Sequence, residues 1–319
     1  MRIVVALGGN ALLKRGEPLS AQLQRRNVGV AADALVALVA AGHQIVITHG
    51  NGPQVGLIAL QSAAGPKDGD YPLDILGAES QGMIGYLIEQ SLRDRLPAGA
   101  LLATLLTQVR VDATDPAFQH PTKPIGPVYG AAEAAALAAA RGWTVAPDGD
   151  HWRRVVPSPE PREILGLGAI RLLVEAGVVV ISTGGGGIPV VARQDASFEG
   201  VEAVIDKDRA SGLLASQIGA DRLLMLTDVD AVYVDFAKPE ARAISTAGAD
   251  SLRAEDFAEG SMGPKVAAAQ RFATLTGNAA AIGRIEDASA IVRQAAGTWI
   301  EAGKGPLVFA RAAPLLSPA

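Results

Sequence analysis

Three short apolar segments of the chain each end in a run of glycines, and such runs are suited to binding an anion. Backbone N–H groups of glycine approach a phosphate or carboxylate closely, and a helix that follows adds the positive end of its dipole. Pro53 agrees with a helix starting after the second run. Each run could instead be only a tight turn between a strand and a helix, but three such runs in one chain favour anion binding. The runs contain Gly8, Gly9 and Asn10; Gly50, Asn51 and Gly52; and Gly184, Gly185 and Gly186.

Three lysines in turn-rich surroundings could supply the positive charge that phosphoryl transfer requires. Lys123 lies in a proline-rich run, and Lys265 follows a Gly-Pro pair. Lys207 stands between Asp206 and Asp208. One of these acids could orient the lysines, or Asp208 could cap the helix that follows. The two roles are compatible, so both stay open at this point.

The familiar phosphate-binding motifs are missing from the sequence. No Gly-x4-Gly-Lys-Ser/Thr run occurs, and the first strand is not followed by Gly-x-Gly-x-x-Gly. The chain is therefore predicted to be neither a P-loop NTPase nor a Rossmann dehydrogenase. It has no cysteine, which excludes disulfides, cysteine nucleophiles and thiolate metal sites. Its 4 histidines lack the spacing of metal ligands, so no metal ligand is predicted.

The elements that must position these residues alternate between short β-branched segments and longer segments rich in Ala and Leu. This alternation predicts an α/β fold: a three-layer αβα sandwich with a mainly parallel central sheet. Ser20 is expected to cap the first helix and Gly42 to end it. The predicted strands are Ile3–Leu7, Gln44–Thr48, Val178–Thr183 and Arg222–Thr227, and the predicted helices are Ser20–Ala41, Ile75–Leu96, Ala131–Arg141, Glu163–Ala176 and Asp208–Ile218.

One segment interrupts this alternation. Residues 112–161 are rich in proline, charge and aromatic side chains, including Trp143 and Trp152. Because proline cannot donate to a sheet, this segment is predicted to lie outside the central sheet. It is either a long loop or a small protruding subdomain, and its aromatic content favours an ordered subdomain. Lys123 would then reach the site only when the subdomain closes.

The composition restricts the class of protein. The hydrophobic fraction of 49% and the charged fraction of 19% predict a sizeable core. A net charge of −5 without a basic tract argues against a nucleic-acid partner. The longest apolar stretch, Ala34 to Ala41, is too short to cross a membrane. The first residues predict a strand rather than a signal peptide, so a cytoplasmic location is expected.

Taken together, these segments resemble the amino acid kinase family and, within it, the carbamate kinases. The resemblance extends from Val5 to about Thr298. The glycine runs and Thr227–Asp230 are similar to the wider family, whereas Pro-Thr-Lys-Pro-Ile-Gly-Pro at 121–127 is similar to carbamate kinases alone. Departures from the family pattern at 163–166 and 274–278, and the residues beyond 298, touch no expected site residue.

The resemblance implies reversible phosphoryl transfer between ATP and carbamate, giving ADP and carbamoyl phosphate. It implies Mg2+ as the cofactor, a homodimer and a place in arginine metabolism. It also implies one domain over 1–319, with 1–205 mainly binding the acceptor, 206–319 mainly binding the nucleotide, and 112–161 inserted in the first part.

The resemblance also assigns roles to single residues. Lys123, Lys207, Asp208 and Lys265 are expected to be catalytic, with Asp208 orienting the lysines. Carbamate and the transferred phosphoryl group are expected at Gly8, Gly9, Asn10, Gly50, Asn51, Gly52, Gly184, Gly185 and Gly186. The nucleotide is expected at Thr227, Asp228, Val229, Asp230, Tyr233 and Met262.

Two other functions stay open at this stage. One is a kinase of the same fold that acts on acetylglutamate, glutamate, aspartate or UMP, against which the 121–127 segment argues. The other is a non-catalytic regulator that senses nucleotide, against which the complete set of Lys123, Lys207, Asp208 and Lys265 argues. An oxidoreductase is disfavoured because the dinucleotide motif is missing.

Overall fold

The computed structural model describes residues 1–9, 12–13, 17–18, 20–65, 71–258 and 260–310. In chain order the strands are β1 Arg2–Leu7, β2 Gln44–His49, β3 Leu102–Thr104, β4 Gln108–Arg110, β5 Lys123–Tyr129, β6 Thr144–Asp148, β7 His151–Val156, β8 Glu163–Ile164, β9 Val179–Ile181, β10 Ile188–Ala192, β11 Phe198–Gly200, β12 Arg222–Thr227, β13 Val232–Val234, β14 Arg242–Gly248, β15 Ala280–Arg284, β16 Thr298–Glu301 and β17 Val308–Phe309. The α-helices are α1 Ala21–Ala40, α2 Gly52–Ala63, α3 Leu73–Arg93, α4 Ala131–Arg141, α5 Leu167–Glu175, α6 Lys207–Gln217, α7 Met262–Thr276 and α8 Ala288–Val292. Within the described ranges, no helix is long and apolar enough to cross a membrane.

The central sheet is mainly parallel, as the sequence predicts. Its strands follow the order β13-β14-β16-β15-β12-β1-β2-β9-β3, and β17 pairs with β14. The strands from β15 across to β3 are parallel neighbours, whereas β13, β16 and β17 each make antiparallel pairs. The carboxyl ends of β12, β1, β2 and β9 therefore meet at one edge of the sheet, where ligands bind in open α/β folds.

Both faces of the central sheet are covered by helices. In β1, Ile3, Val5 and Leu7 belong to one apolar cluster, which also contains residues of α1, α3 and α8. Val4 and Ala6 belong to a second cluster on the opposite face, with residues of α5, α6 and α7. A strand buried on both faces needs apolar residues at every position, which is why these strands are continuous hydrophobic runs. The predicted three-layer sandwich is confirmed.

The ends of the first helix follow the predicted cap and stop. The side-chain hydroxyl of Ser20 accepts a hydrogen bond from the backbone N–H of Leu23 at 3.3 Å. Gly42 has a φ angle of +79°, a conformation that glycine adopts without steric penalty. Local sequence chemistry is therefore sufficient to define this helix.

Several helices differ from the sequence prediction, and one of them, α8, was not predicted at all. The helix predicted over Glu163–Ala176 begins only at Leu167, because Glu163 and Ile164 form β8 and pair with β4. Helix α7, which carries Lys265, was not predicted either. Its buried face includes Ala268, Ala269 and Ala273, so the hydrophobic periodicity that would mark a helix is weak.

Residues 123–156 form a separate unit beside the central sheet. Strands β5, β7 and β6 make a three-stranded antiparallel sheet, on which α4 packs. This unit is shorter than the predicted 112–161 segment, and β4 and β8 on either side of it pair with each other in a different sheet. Val55 of α2 shares an apolar cluster with Ile125 and Val156, so the unit rests on α2.

Candidate active site

The three glycine runs lie next to one another at the carboxyl edge of the central sheet. The backbone N–H of Gly8 donates to the carbonyl of Leu226 at 2.8 Å, and that of Gly50 donates to the carbonyl of Leu7 at 3.2 Å. A methyl group on Gly50 would lie 3.5 Å from the backbone nitrogen of Gly9. The first two runs therefore line one cleft. Asn10, predicted to belong to the first run, lies outside the described residues.

The second and third glycine runs interlock. A methyl group on Gly185 would lie 2.2 Å from the side-chain nitrogen of Asn51, and Gly185 has a φ angle of +64°. The same nitrogen donates to the hydroxyl of Ser80 on α3 at 2.8 Å. Glycine is thus required at 185 by both space and backbone conformation. The structure brings the predicted residues of these runs to one place.

A buried carboxylate lies between two of the predicted lysines. Asp208, in the first turn of α6, accepts from Nζ of Lys207 at 2.6 Å and from Nζ of Lys265 at 3.1 Å. Lys265 comes from α7, and its Nζ also donates to the carbonyl of Ser261 at 3.3 Å. The aliphatic part of Lys207 lies over the glycine cleft, since a methyl group on Gly50 would be 3.1 Å from its Cδ. One carboxylate therefore holds both ammonium groups, and through Lys207 this cluster lies beside the cleft.

The cap of helix α6 is Asp206 and not Asp208. Oδ1 of Asp206 accepts from the backbone N–H groups of Asp208 at 2.9 Å and of Arg209 at 3.2 Å. The sequence allowed Asp208 to be the cap, and that assignment is wrong. A cap must precede the first helical residue, which is Lys207. Asp208 is thus free of a capping duty.

The third predicted lysine arrives from the separate unit. Nζ of Lys123, the first residue of β5, lies 2.5 Å from Oδ2 of Asp206. In this structure Lys123 thus already reaches the start of α6. The site gathers three lysines and two aspartates, and its side chains carry a net positive charge suited to phosphate.

The charged groups around Asp208 differ in their pKa shifts. Burial by itself would raise the pKa of Asp208, but the charges of Lys207 and Lys265 hold it below its ordinary value. Burial lowers the pKa of Lys207 to about 8, and Asp208 only partly opposes this. Burial also acts on Lys265, but there the charge and hydrogen bond of Asp208 prevail and raise the pKa. Lys207 is therefore the first of these two lysines to lose its charge as pH rises.

Comparisons with known proteins identify the family. The amino acid kinase family matches residues 1–282 of the chain. A carbamate kinase of Rhizobium meliloti (strain 1021) is 52% identical over 321 residues, covering 100% of this chain and 99% of that protein. The solved carbamate kinase from Giardia lamblia bound to AMP-PNP is 40% identical, with a TM-score of 0.85, and the match covers 95% of this chain and 98% of that one. The chain belongs to the amino acid kinase family, and within it to the carbamate kinases. A carbamate kinase of Haemophilus influenzae is 53% identical over 300 residues, covering 94% of this chain and 96% of that protein.

The residues predicted to border the nucleotide occupy the next part of the same sheet edge of this kinase. Thr227 ends β12 beside the first glycine run, since a methyl group on Gly8 would lie 3.6 Å from its hydroxyl. Its hydroxyl donates to the carboxylate of Asp228 at 3.1 Å. The hydroxyl of Tyr233 donates to Asp230 at 3.0 Å. Val229 lies between these pairs in the chain.

The other features near the predicted nucleotide residues are a helix start and a cavity. Met262 is the first residue of α7, three positions before Lys265. A cavity of about 390 Å3 is lined by Asp230 but by none of the other predicted nucleotide residues. Of these residues, Thr227 thus borders the first glycine run, and Met262 begins the helix that carries Lys265.

Sequence reasoning missed several buried polar groups of the kinase at this edge. His49 ends β2, and because the carbonyl of Gly50 can only accept, Nδ1 of His49 donates to it at 3.1 Å. Burial lowers the pKa of His49 to about 4, so the ring is neutral at pH 7. Among the described residues, the side chains of Gln54, Ser182 and Thr183 contain buried polar atoms without a hydrogen-bond partner. His49, Ser182 and Thr183 stand at the ends of β2 and β9, and Gln54 lies near the start of α2; these positions were the sequence clue.

The side chains of this kinase that could bind a metal ion are its histidines and carboxylates. The described residues contain no group of three or more His, Asp or Glu side chains placed to hold a metal ion. Both aspartates of the site are already paired with lysines. This arrangement fits a Mg2+ ion that arrives with the nucleotide, because Mg2+ in kinases is held largely by substrate phosphates and water.

Proposed function

We propose that this kinase transfers a phosphoryl group reversibly between the Mg2+ complex of ATP and carbamate, giving ADP and carbamoyl phosphate. The observation that carries the proposal is the cluster in which Asp208 joins Lys265 to Lys207, whose side chain lies over the glycine cleft. The carbamate kinase relatives, about half identical over nearly the full chain, support this choice of acceptor.

The chemistry needs no covalent nucleophile from the protein. A carboxylate oxygen of carbamate attacks the γ-phosphorus of ATP, and the bond between that phosphorus and the bridging oxygen of ADP breaks. Negative charge moves onto that bridging oxygen, and no proton has to be transferred. The protein therefore acts by positioning the two substrates and by stabilising charge.

Each part of the site has a role in this scheme. The runs at 8–9, 50–52 and 184–186 surround carbamate and the migrating phosphoryl group. The N–H groups of Gly8, Gly50 and Gly186 donate to protein carbonyls, so the anions are held by other backbone N–H groups of these runs. Lys207 and Lys265 neutralise phosphate oxygens, and Asp208 keeps both ammonium groups directed at them. Lys123 adds a third positive charge from the separate unit. The residues Thr227, Asp228, Val229, Asp230, Tyr233 and Met262 border the nucleotide in this proposal.

The decisive experiment is a coupled assay of ATP formation from ADP and carbamoyl phosphate in the presence of Mg2+. We expect turnover that EDTA abolishes. In the other direction, ATP consumption is measured with each of five acceptors: carbamate, N-acetylglutamate, glutamate, aspartate and UMP. We expect carbamate alone to be used. Normal binding of ADP without turnover would instead support the regulator, and use of another acceptor would support another kinase of this fold.

Three broader features of the proposal rest on the family resemblance. We expect a homodimer, a cytoplasmic location and a place in arginine metabolism. Sedimentation of the purified protein tests the first, cell fractionation the second, and the growth requirements of a deletion strain the third.

A further inference from the structure

The two carboxylate oxygens of Asp206 perform two different tasks. Oδ1 accepts the backbone N–H groups of Asp208 and Arg209 and so caps helix α6. Oδ2 accepts Nζ of Lys123 at 2.5 Å, from a strand 83 residues away in the chain. One side chain thus joins the start of the helix that carries Lys207 to the separate unit formed by residues 123–156.

Capping alone does not explain a carboxylate at this position. Asparagine and serine cap helices about as well as aspartate. A negative charge beside a phosphate site also repels the substrate. The helix dipole favours a negative charge at this end of α6, and the ion pair with Lys123 indicates a second purpose for that charge.

The pair also contributes little by itself to the stability of the fold. The side chain of Lys123 keeps 30% of its exposure, whereas that of Asp206 keeps 11%. Ion pairs with one partner this exposed are weak stabilisers. Burial would raise the pKa of Asp206, but the charge and hydrogen bond of Lys123 outweigh burial and keep that pKa far below its usual range. Asp206 is therefore ionised at neutral pH.

We infer that Asp206 is a positioning residue: its second oxygen holds Lys123 against the amino end of α6, the helix that carries Lys207, before substrate arrives. The inference rests on the proposed function. When phosphate binds, Lys123 keeps its place beside α6 and gains a phosphate oxygen as a further partner. Without Asp206 the lysine would sample other rotamers, and each turnover would have to recover the productive one.

The test uses the full-length protein with substitutions that keep the cap. In Asp206→Asn the cap oxygen remains but Oδ2 becomes an NH2 group, which cannot accept from Lys123. We expect kcat to fall by more than tenfold, KM for ADP to change by less than about threefold, and the melting temperature to stay close to that of the wild type. Asp206→Ser, which also keeps a cap, should show the same kinetic loss, and Asp206→Glu should recover part of kcat.

A double variant separates this role from a general effect on the site. If Asp206 acts through Lys123, the variant Asp206→Asn/Lys123→Gln should be no slower than Lys123→Gln alone. The matched control is Asp195→Asn. Asp195 also accepts the backbone N–H of the residue two positions on, at 3.0 Å, but the same oxygen accepts the hydroxyl of Ser197 at 2.6 Å, whereas the side-chain partner of Asp206 is a lysine. We expect its kcat to be that of the wild type.

The outcomes are distinguishable from failure of the proposed function. Wild-type protein without turnover would overturn the proposed function, and the positioning of Lys123 would then be measured by hydrogen exchange alone. We expect Asp206→Asn to speed exchange in residues 123–129 and to leave α1 unchanged. Three results would each overturn the role of Asp206. These are unchanged hydrogen exchange in residues 123–129, a normal kcat of Asp206→Asn in an active enzyme, and a double variant whose loss in kcat is the product of the two single losses.

Discussion

Gly56 of α2 and Gly126 of β5 cross with almost no space between their backbones. A methyl group placed on Gly56 would lie 1.9 Å from Cα of Gly126. Gly126 has a φ angle of +73°, which also favours glycine. This crossing seats the unit of residues 123–156 on the helix that begins at the second glycine run. The position of Lys123 therefore depends on two glycines that touch no substrate.

The first prediction follows from this crossing. Gly56→Ala should push β5 away from α2, because backbone atoms cannot yield as a flexible side chain does. We expect a loss of about 1–3 kcal/mol in the free energy of unfolding. We also expect kcat to fall by a larger factor than KM changes. Gly82→Ala is the control, since Gly82 is exposed on α3 and a methyl group there meets nothing within 4 Å. Denaturant melts and kinetics on both variants decide; equal stability of the two would contradict the prediction.

The second prediction concerns Asp208 as the organiser of the two lysines. Asp208→Asn is nearly isosteric and leaves the cap intact, because that cap is Asp206. We expect kcat to fall by about 100-fold or more, equivalent to roughly 3 kcal/mol of barrier. Circular dichroism should show a folded protein at the assay temperature. A variant that melts early but turns over normally would remove Asp208 from catalysis.

The third prediction concerns the lysines that Asp208 joins. Lys207→Ala and Lys265→Ala should each lose about 2–4 kcal/mol of transition-state stabilisation, as removal of a main electrostatic donor does. Combining either with Asp208→Asn should cost less than the sum of the single losses, because the three residues act as a unit. Values of kcat/KM for all five variants test this, and additive losses would show that the residues act independently.

The fourth prediction is a pH profile. Because the pKa of Lys207 is about 8, the free enzyme loses this positive charge as the pH rises through that value. We expect kcat/KM for ADP to fall above about pH 8, and the fall in kcat to begin at higher pH because bound phosphate favours the charged lysine. In Lys207→Arg the charge persists and the fall near pH 8 should disappear. If the arginine variant turns over slowly, calorimetry of ADP binding across the same pH range provides the readout. If the fall near pH 8 persists in Lys207→Arg, another group is responsible for it.

The fifth prediction concerns acid stability. His49 has a pKa of about 4 in the folded protein against an ordinary value of 6.5, so the unfolded chain binds its proton first as pH falls. The free energy of unfolding should therefore decrease between pH 6.5 and 4, by roughly 3 kcal/mol if this shift acts alone. Asp206 and Asp208, whose pKa values are lowered, contribute only below that window.

Substitutions of histidine test the assignment of this pH dependence. His49→Gln should flatten the slope between pH 6.5 and 4 measured by urea denaturation. The control is His43→Gln: partial burial and the charge of the N-terminus lower the pKa of His43, but His43 is less buried than His49, so this variant should flatten the slope less. An unchanged slope in His49→Gln would show that other groups set the acid stability.

Much of the fold follows from the sequence because its causes are local. Continuous apolar runs such as 3–7 and 223–226 are typical of strands buried on both faces, and the structure has strands there. Glycines directly after such strands must lie at the carboxyl edge of a parallel sheet, so the cleft was predictable. The family membership was predictable as well, because its motifs are short contiguous runs.

The tertiary structure alone decided how distant residues meet. Three such contacts depend on how whole elements pack. They are the pairing of Lys123 with Asp206, the position of Asp208 between Lys207 and Lys265, and the crossing of Gly56 and Gly126. The start of α5 at Leu167 was decided in the same way, by the pairing of Ile164 with Val109. The spacing of residues along a chain sets its local periodicity, but contacts between residues far apart in sequence are selected only when packing brings their elements together.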